Sequence, residues 1–460
     1  MIKNVNDFLL HILWGTPMLV LIILTGLFLS LKTNFFQIRH FGHVLKCTLF
    51  SLFKKETLKS DTSKSISRFQ AISTALASTL GTGNIVGVAA ALSAGGAGSI
   101  FWMWISAMLG MITKYAENVL SIYFREKDKK GAWHGGAMYY IKKGLSSNCL
   151  LNPLGKPLAF LFSLFCLGAS FGVGNMVQIN SVSNILKNTW GIPLFYTGIV
   201  SSIIIFVIII KGLKSIVNVT ERLIPLMSVL YTAACITVIY VNRNALPYVF
   251  ESIFKNAFCT KSVYGAAVGT GIKNVISIGF KRGIFSNEAG LGASTIIHAQ
   301  SDTKEPCEQG MWGIFEVFFD TIVSCTLTAI MILSSKVDFL GQNATEVVHN
   351  AFSTVFGEYT GAFLAVAMSL FAFSTIIGWS FYGTTALRYI SGEKHITLYK
   401  IIYALALLPG ATLNLTLVWE ISDTLNALMA IPNLMAVIVL SGTVSKITNN
   451  YIERKLYGKK

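Results

Sequence analysis

The stretch Ala75 to Leu92, ALASTLGTGNIVGVAAAL, is apolar enough to lie in a bilayer but is interrupted near its middle by Gly81-Thr82-Gly83-Asn84. Two glycines two apart each weaken a helix by roughly 1 kcal/mol relative to alanine. Thr and Asn side chains also compete with the helix for backbone partners, so a break is expected here. In lipid a broken helix survives only where its freed N–H and C=O groups face protein or a wet cavity. At the bilayer midplane such groups can hold a substrate and an ion. That combination points to a transporter.

The rest of the chain agrees with a membrane setting. Of its 460 residues 53% are hydrophobic and 13% charged, with a mean hydropathy of +0.61, outside the range of soluble domains. The formal charge of +16 sits in segments between apolar runs, where orientation signals belong, and argues against nucleic-acid binding. The seven cysteines contain no CxxC pair, and Cys166, Cys235 and Cys325 lie inside apolar runs, so they read as small core residues and not as a disulfide framework. The apolar run from Met18 to Leu31 follows Lys3 and Asp7 without a small-residue cleavage site and is expected to be a retained span.

Windows of roughly 20 apolar residues give eleven candidate spans, at 14–31, 70–93, 98–124, 158–186, 192–211, 221–241, 264–299, 309–334, 361–390, 398–417 and 420–446. Eight Lys or Arg between Lys32 and Arg68, and seven between Arg125 and Lys156, mark those loops as cytoplasmic. The N-terminus is then outside and the C-terminus cytoplasmic. The window 264–299 is too long for one straight crossing and contains Gly279, Gly283, Gly290 and Gly292, so a second break is expected in it. Beyond the extra first span, the two broken helices head two sets of five, 70–241 and 264–446. This is the positional signature of an inverted repeat with the site between the halves, although residue-level similarity between the halves is faint. Residues 131–144 suggest an ordered cytoplasmic loop and 338–359 an extracellular helical hairpin, with no separate soluble domain.

Several residues carry candidate chemistry. Gly81, Gly83 and Gly87 serve either close helix packing or a site. For a site, open amides suit a carboxylate and open carbonyls a hard cation, and Thr82 and Asn84 favour this reading. Phe171, Asn175 and Gln178 are spaced i, i+4 and i+7, one face of a helix, where they suit an ammonium group or act as interhelical glue. Lys281 and Arg282 lie near mid-span, where a charge costs at least about 2.5–3.5 kcal/mol; Arg282 either holds a carboxylate or pairs with Glu288. Glu117 has Lys114 one turn before it, which suggests a local ion pair. Glu316 and Asp320, one turn apart, serve a second cation, relay protons or are interfacial charges. The histidines show no metal-ligand spacing, and the absence of HExxH or paired catalytic carboxylates argues against an enzyme.

GTGNIVGVAAAL, the block GGAGSIFWMWISAMLGMITKYAENVL at Gly95–Leu120, GGAMYYIKKGL at Gly135–Leu145, FGVGNMVQINS at Phe171–Ser181 and KRGIFSNEAGLGAS at Lys281–Ser294 together resemble the alanine or glycine:cation symporter family over nearly the whole chain. Ala97 stands where proline is frequent in that family. The resemblance implies an all-α polytopic protein with a leucine-transporter-like 5+5 inverted repeat after one N-terminal span. It also implies uptake of alanine and glycine by alternating access, driven by sodium or less often by protons. Proton coupling, exchange and a channel are the alternatives.

Carried onto this sequence, the fold's site logic puts Thr79, Gly81, Thr82 and Gly83 on the substrate. It puts the carbonyls of Ala77 and Leu80 on a sodium ion, with Ser374, Thr375 and Phe371 of the eighth core helix as partners; the alternative for the two hydroxyls is bonding to the preceding turn. Ser277, Gly279 and Phe280 are similar to the second break, Phe280 closing a small pocket and Trp379 capping it. Asn84 binds a second ion, caps the half-helix, or does both. The expected partners are alanine or glycine, sodium and the lipid bilayer, with no other cofactor, in a monomer of the bacterial cytoplasmic membrane.

Overall fold

Ser67 opens the first broken helix with a capping box: its hydroxyl accepts from the Gln70 N–H at 3.1 Å and its own N–H donates to Gln70 Oε1 at 3.2 Å, satisfying two amides that a helix start leaves open. The computed structural model describes residues 15–53, 65–129, 131–146, 151–258, 271–413 and 416–458, together with Asn6 and Leu13. The main helices in chain order are α1 (Thr16–Lys32), α2 (Arg68–Thr79), α3 (Val86–Gly95), α4 (Gly98–Phe124), α5 (Asn152–Phe171), α6 (Val177–Trp190), α7 (Leu194–Ile210), α8 (Leu213–Val241) and α9 (Leu246–Phe258). They continue with α10 (Ile272–Asn287), α11 (Thr295–His298), α12 (Pro306–Val317), α13 (Thr326–Ser334), α14 (Ala344–Phe356), α15 (Thr360–Ser391), α16 (Ile396–Leu405) and α17 (Thr416–Val439). Among the described residues five helical stretches are long and apolar enough to cross a membrane, and a sixth if α2 and α3 count as one.

The first break lies where the sequence places it. α2 stops at Thr79, a short turn covers Thr82–Asn84, and the chain bends by 62° before α3. The second break lies elsewhere. Ser277, Gly279 and Phe280 sit inside the continuous helix α10, and the interruption falls at Glu288–Ser294. The glycines divide the work. A Cβ on Gly279 would lie 2.5 Å from the Ser99 carbonyl and one on Gly283 3.0 Å from the Ser106 hydroxyl, so these two let α10 approach α4. Gly290 and Gly292 instead have φ of +91° and +74°, and Glu288 joins them at +55°; glycine reaches this left-handed region without strain. Residues 264–270 of the expected span lie outside the described residues.

Two π-helical turns, Gly172–Met176 between α5 and α6 and Phe318–Cys325 between α12 and α13, interrupt otherwise continuous spans. The loop after α4 is ordered, with the strand pair Glu126–Lys127 and Trp133–His134 followed by the helix Ala137–Ser146. Residues 338–359 form the single helix α14 and a short turn instead of a hairpin of two helices. α9 is amphipathic, burying Val249, Ile253 and Ala257 and exposing Tyr248, Phe250, Phe254 and Phe258. The described cysteines 47, 166, 235, 307 and 325 are free.

The N-terminal end of α2 is held from several sides. Ile66 bridges the segment after α11, its N–H on Gln300 O at 3.2 Å and its carbonyl accepting from Asp302 N at 3.0 Å. Arg68 pairs with Glu308 at 2.7 Å, Gln70 donates to Glu221 at 2.9 Å, and Thr74 and Thr220 share a hydrogen bond of 2.8 Å. Arg125 braces the same segment by donating to the carbonyls of Ala299, Ser301 and Thr303.

Candidate functional site

The break in GTGN sets up the site through one diverted hydrogen bond. The Gly81 N–H, which would close the last turn of α2 on the Ala77 carbonyl, donates to Asn84 Oδ1 at 3.2 Å instead. The freed Ala77 carbonyl accepts from Thr375 Oγ1 on α15 at 3.1 Å. Thr375 Oγ1 also lies 3.1 Å from the Phe371 carbonyl, to which Ser374 Oγ donates at 2.7 Å. The two hydroxyls thus bond back along their own helix, and Thr375 bridges across to α2 as well. Ala77, Phe371, Ser374 and Thr375 present neutral oxygens at one place, the donor set a hard monovalent cation takes. Leu80, the residue after α2, completes the break, its N–H on Leu76 O at 2.7 Å.

Beside this oxygen cluster a cavity of about 900 Å³ runs from Thr82 and Gly83 past Val173, Val177, Gln178, Arg282, Phe285 and Met368 to Glu346 and His349 of α14. Its lining includes none of the residues that brace the N-terminal end of α2. Gln178 Oε1 accepts from Thr82 Oγ1 at 3.3 Å, and a Cβ on Gly81 would meet Thr375 Oγ1 at 3.0 Å and Gln178 Oε1 at 3.6 Å. The cavity floor and the oxygen cluster are therefore neighbours.

Several expected site residues are not brought to this cavity. Phe171 packs edge-on against Tyr399 at 5.4 Å and tilted against Tyr403 at 5.6 Å, and Asn175 Nδ2 donates to the Tyr403 carbonyl at 2.7 Å. The π-helical turn at Gly172–Met176 adds a residue to one turn, so Phe171 and Asn175 face α16 while Gln178 faces GTGN. Ser277, Gly279 and Phe280 belong to α10, where Phe280 lies 6.2 Å from the Trp102 ring. Trp379 is fully buried against Gly174 and Tyr382 and does not line the cavity. Thr79 turns its hydroxyl to Ala75 O at 2.7 Å and Glu316 Oε1 at 3.2 Å. The residues that line the cavity in their stead, Phe285, Val173 and Val177, carry no polar signature by which sequence reading selects them. Gly168-Ala169-Ser170-Phe171-Gly172 has the GxSxG spacing of serine hydrolases, which reading the sequence as free of that string overlooks, but Ser170 is buried within α5 and bonded to Leu167 O and Tyr399 Oη, not an exposed nucleophile.

A buried charge network lies behind the breaks. Lys114 pairs with Glu316 at 3.2 Å, not with Glu117, and donates to the Asn287 carbonyl at the end of α10 at 3.0 Å. Glu316 also bonds His298 at 3.2 Å. Lys114 therefore touches the end of one half-helix directly and the end of the other through Glu316 and Thr79. Glu117 accepts from Asn433 Nδ2 at 2.5 Å, because α17 and not the preceding turn supplies its partner. Asp320 accepts from Asn84 Nδ2 at 2.7 Å and from Ser286 and Thr321 hydroxyls at 2.8 Å each. Asn84 thus both ties off the break and holds Asp320. These acids are fully buried and not interfacial. Arg282, on the cavity wall, faces the charge of Asp423 on α17 and not Glu288.

Comparison with known proteins fits this architecture. A family model described as the sodium:alanine symporter family matches residues 1–460. The sodium/alanine symporter AgcS of Methanococcus maripaludis is 41% identical over 460 residues, covering 98% of this chain and 97% of the relative. The probable sodium/glutamine symporter GlnT of Bacillus subtilis is 34% identical, covering 97% and 90%. Among solved structures, MhsT in complex with L-phenylalanine superposes with a TM-score of 0.59 at 14% identity, covering 85% of this chain and 99% of that one, which places the chain in the leucine-transporter-like fold. With the family model spanning every residue, this integral membrane protein belongs to the sodium:alanine symporter family and is a transporter, not an enzyme.

Proposed function

We propose that the protein imports alanine or glycine together with sodium by alternating access. The observation that carries this reading is the diverted Gly81 amide, which releases the Ala77 carbonyl to Thr375. A sodium ion held by Ala77, Leu80, Phe371, Ser374 and Thr375 would tie α2 to α15. That tie orders the turn whose Gly81, Thr82 and Gly83 amides receive the amino-acid carboxylate, with Gln178 beside them. Each ligand then raises the other's affinity by the same factor. Phe285 and Val173 set the room left for the side chain, in keeping with a small substrate. Asn84, already bonded to Asp320, is the natural ligand for a second ion.

In this reading the halves 70–241 and 264–446 rock about the site in a monomer of eleven spans, with an outside N-terminus and a cytoplasmic C-terminus, in the cytoplasmic membrane. The braced end of α2 is the cytoplasmic gate, so the conformation is outward-facing. The test is radiolabelled uptake into proteoliposomes with sodium and proton gradients imposed separately. Accumulation of alanine or glycine on a sodium gradient supports the proposal; accumulation on a proton gradient alone refutes the assignment of the ion.

A further inference from the structure

The network behind the breaks holds four buried carboxylates, Glu117, Glu288, Glu316 and Asp320, against the single ammonium of Lys114. Three of the four are served by donors. Glu316 takes Lys114, His298 and Thr79, Asp320 takes Asn84, Ser286 and Thr321, and Glu117 takes Asn433. Among the described residues Glu288 has no charged donor of its own: its Oε2 is sealed without a partner, and the indole of Trp379 is the donor that reaches its carboxyl. It occupies the left-handed corner at which α10 ends and the second break begins.

Two neutral groups flank it. Trp379, whose indole N–H reaches the Glu288 carboxyl, and Tyr382, whose hydroxyl lies beside Ser78, are both fully buried. Buried polar groups in native proteins are almost always paired, and these neighbours decide which form of the carboxyl, and which ligand, the corner suits. An indole N–H donates only and offers nothing to a metal ion, which needs several oxygens. A neutral carboxyl, by contrast, turns its C=O to the indole N–H and offers its O–H to a hydroxyl.

Among the described residues no cation forms an ion pair with Glu288. From α4 it faces Lys114, which is committed to Glu316 and the Asn287 carbonyl. From the α12 span it faces Glu316 and Asp320, from α15 Tyr382, and from α5 Cys166; His298 on α11 is bonded to Glu316. We propose that the Glu288 carboxyl at the second break is a proton-binding site, distinct from the sodium site at the first. A proton bound there lets the left-handed corner stay buried, and its release accompanies rehydration of the break. Transport therefore depends on pH even when sodium supplies the driving force.

Two readouts test this on the full-length protein. Infrared difference spectra between neutral and alkaline pH should show the carbonyl band of a buried protonated carboxylic acid, with a component lost in Glu288→Gln. Trp379→Phe, which removes the N–H donor, should shift that component to higher frequency and decides the matter if Glu288→Gln does not accumulate. In proteoliposomes on a fixed sodium gradient, uptake should fall as pH rises, and Glu288→Gln should lose that dependence. A spectrum unchanged by Glu288→Gln, or by Trp379→Phe where that variant alone is obtained, overturns the proposal, as does an unchanged pH profile in Glu288→Gln. The infrared arm needs no transport, so it stands apart from the choice of alanine and sodium, which the wild-type uptake arm tests by itself.

Discussion

Replacing Lys114 with methionine is the perturbation with the widest predicted consequences. The Lys114 side chain is 1% exposed and its ammonium lies 3.2 Å from Glu316 and 3.0 Å from the Asn287 carbonyl. Methionine fills a similar volume and removes only the charge and its donors. Glu316 then keeps His298 and Thr79 but loses its ammonium, and the Asn287 carbonyl loses a donor. Breaking a buried pair from one side costs about 3–5 kcal/mol. An unsatisfied buried carbonyl adds about 1–3 kcal/mol, but both losses arise at one point and relax together. About 4 kcal/mol is therefore expected for Lys114→Met in reversible detergent unfolding. The double variant Lys114→Met/Glu316→Gln should recover about 2 kcal/mol of it, since residues in one network couple by about 0.5–3 kcal/mol. Two single losses that add to within about 0.5 kcal/mol would show that the pair is not coupled and would refute the network as drawn.

The other expectations rest on separate contacts. Thr375→Ala removes the hydroxyl that bridges Ala77 and Phe371, one of the oxygens proposed for the ion; the sodium concentration for half-maximal uptake should rise at least tenfold, about 1.4 kcal/mol, read from a sodium activation curve. Gly279→Ala drives a Cβ to 2.5 Å from the Ser99 backbone oxygen and should destabilise by about 1–3 kcal/mol in the same unfolding assay. Gly87→Ala, whose Cβ meets nothing within 4 Å, should be neutral or stabilising. Phe285→Ala opens the cavity beside Gly83 and should admit larger amino acids in competition assays, whereas Trp379→Phe, away from the cavity, should not.

What could be read from the chain and what could not follows from the physics of each residue. GTGN declared itself because two glycines flanking a threonine and followed by an asparagine weaken a helix more than close packing alone requires, and the 62° bend is there. Ser374 and Thr375 were legible as hydroxyls on an apolar helix. The second break was misplaced because a glycine's role depends on whether a neighbour approaches it or its φ turns positive, and only the three-dimensional structure separates Gly279 from Gly290. Phe171 and Asn175 do not share the direction of Gln178, because an i, i+4, i+7 reading assumes an uninterrupted α-helix and no local signal announces the π-helical turn at Gly172–Met176. The Lys114–Glu316 pair spans 202 positions, beyond any local spacing rule, and the nearer Glu117 was the false partner. Phe285 was invisible because a lining phenylalanine and a packing one look alike in sequence.

The most direct test of the central claim is the reciprocity of the two ligands. Alanine affinity measured at low and saturating sodium, and sodium affinity measured with and without alanine, should change by one and the same factor, and that factor should collapse towards one in Thr375→Ala. Alanine binding that is indifferent to sodium in the wild type would contradict the claim that one break builds both sites.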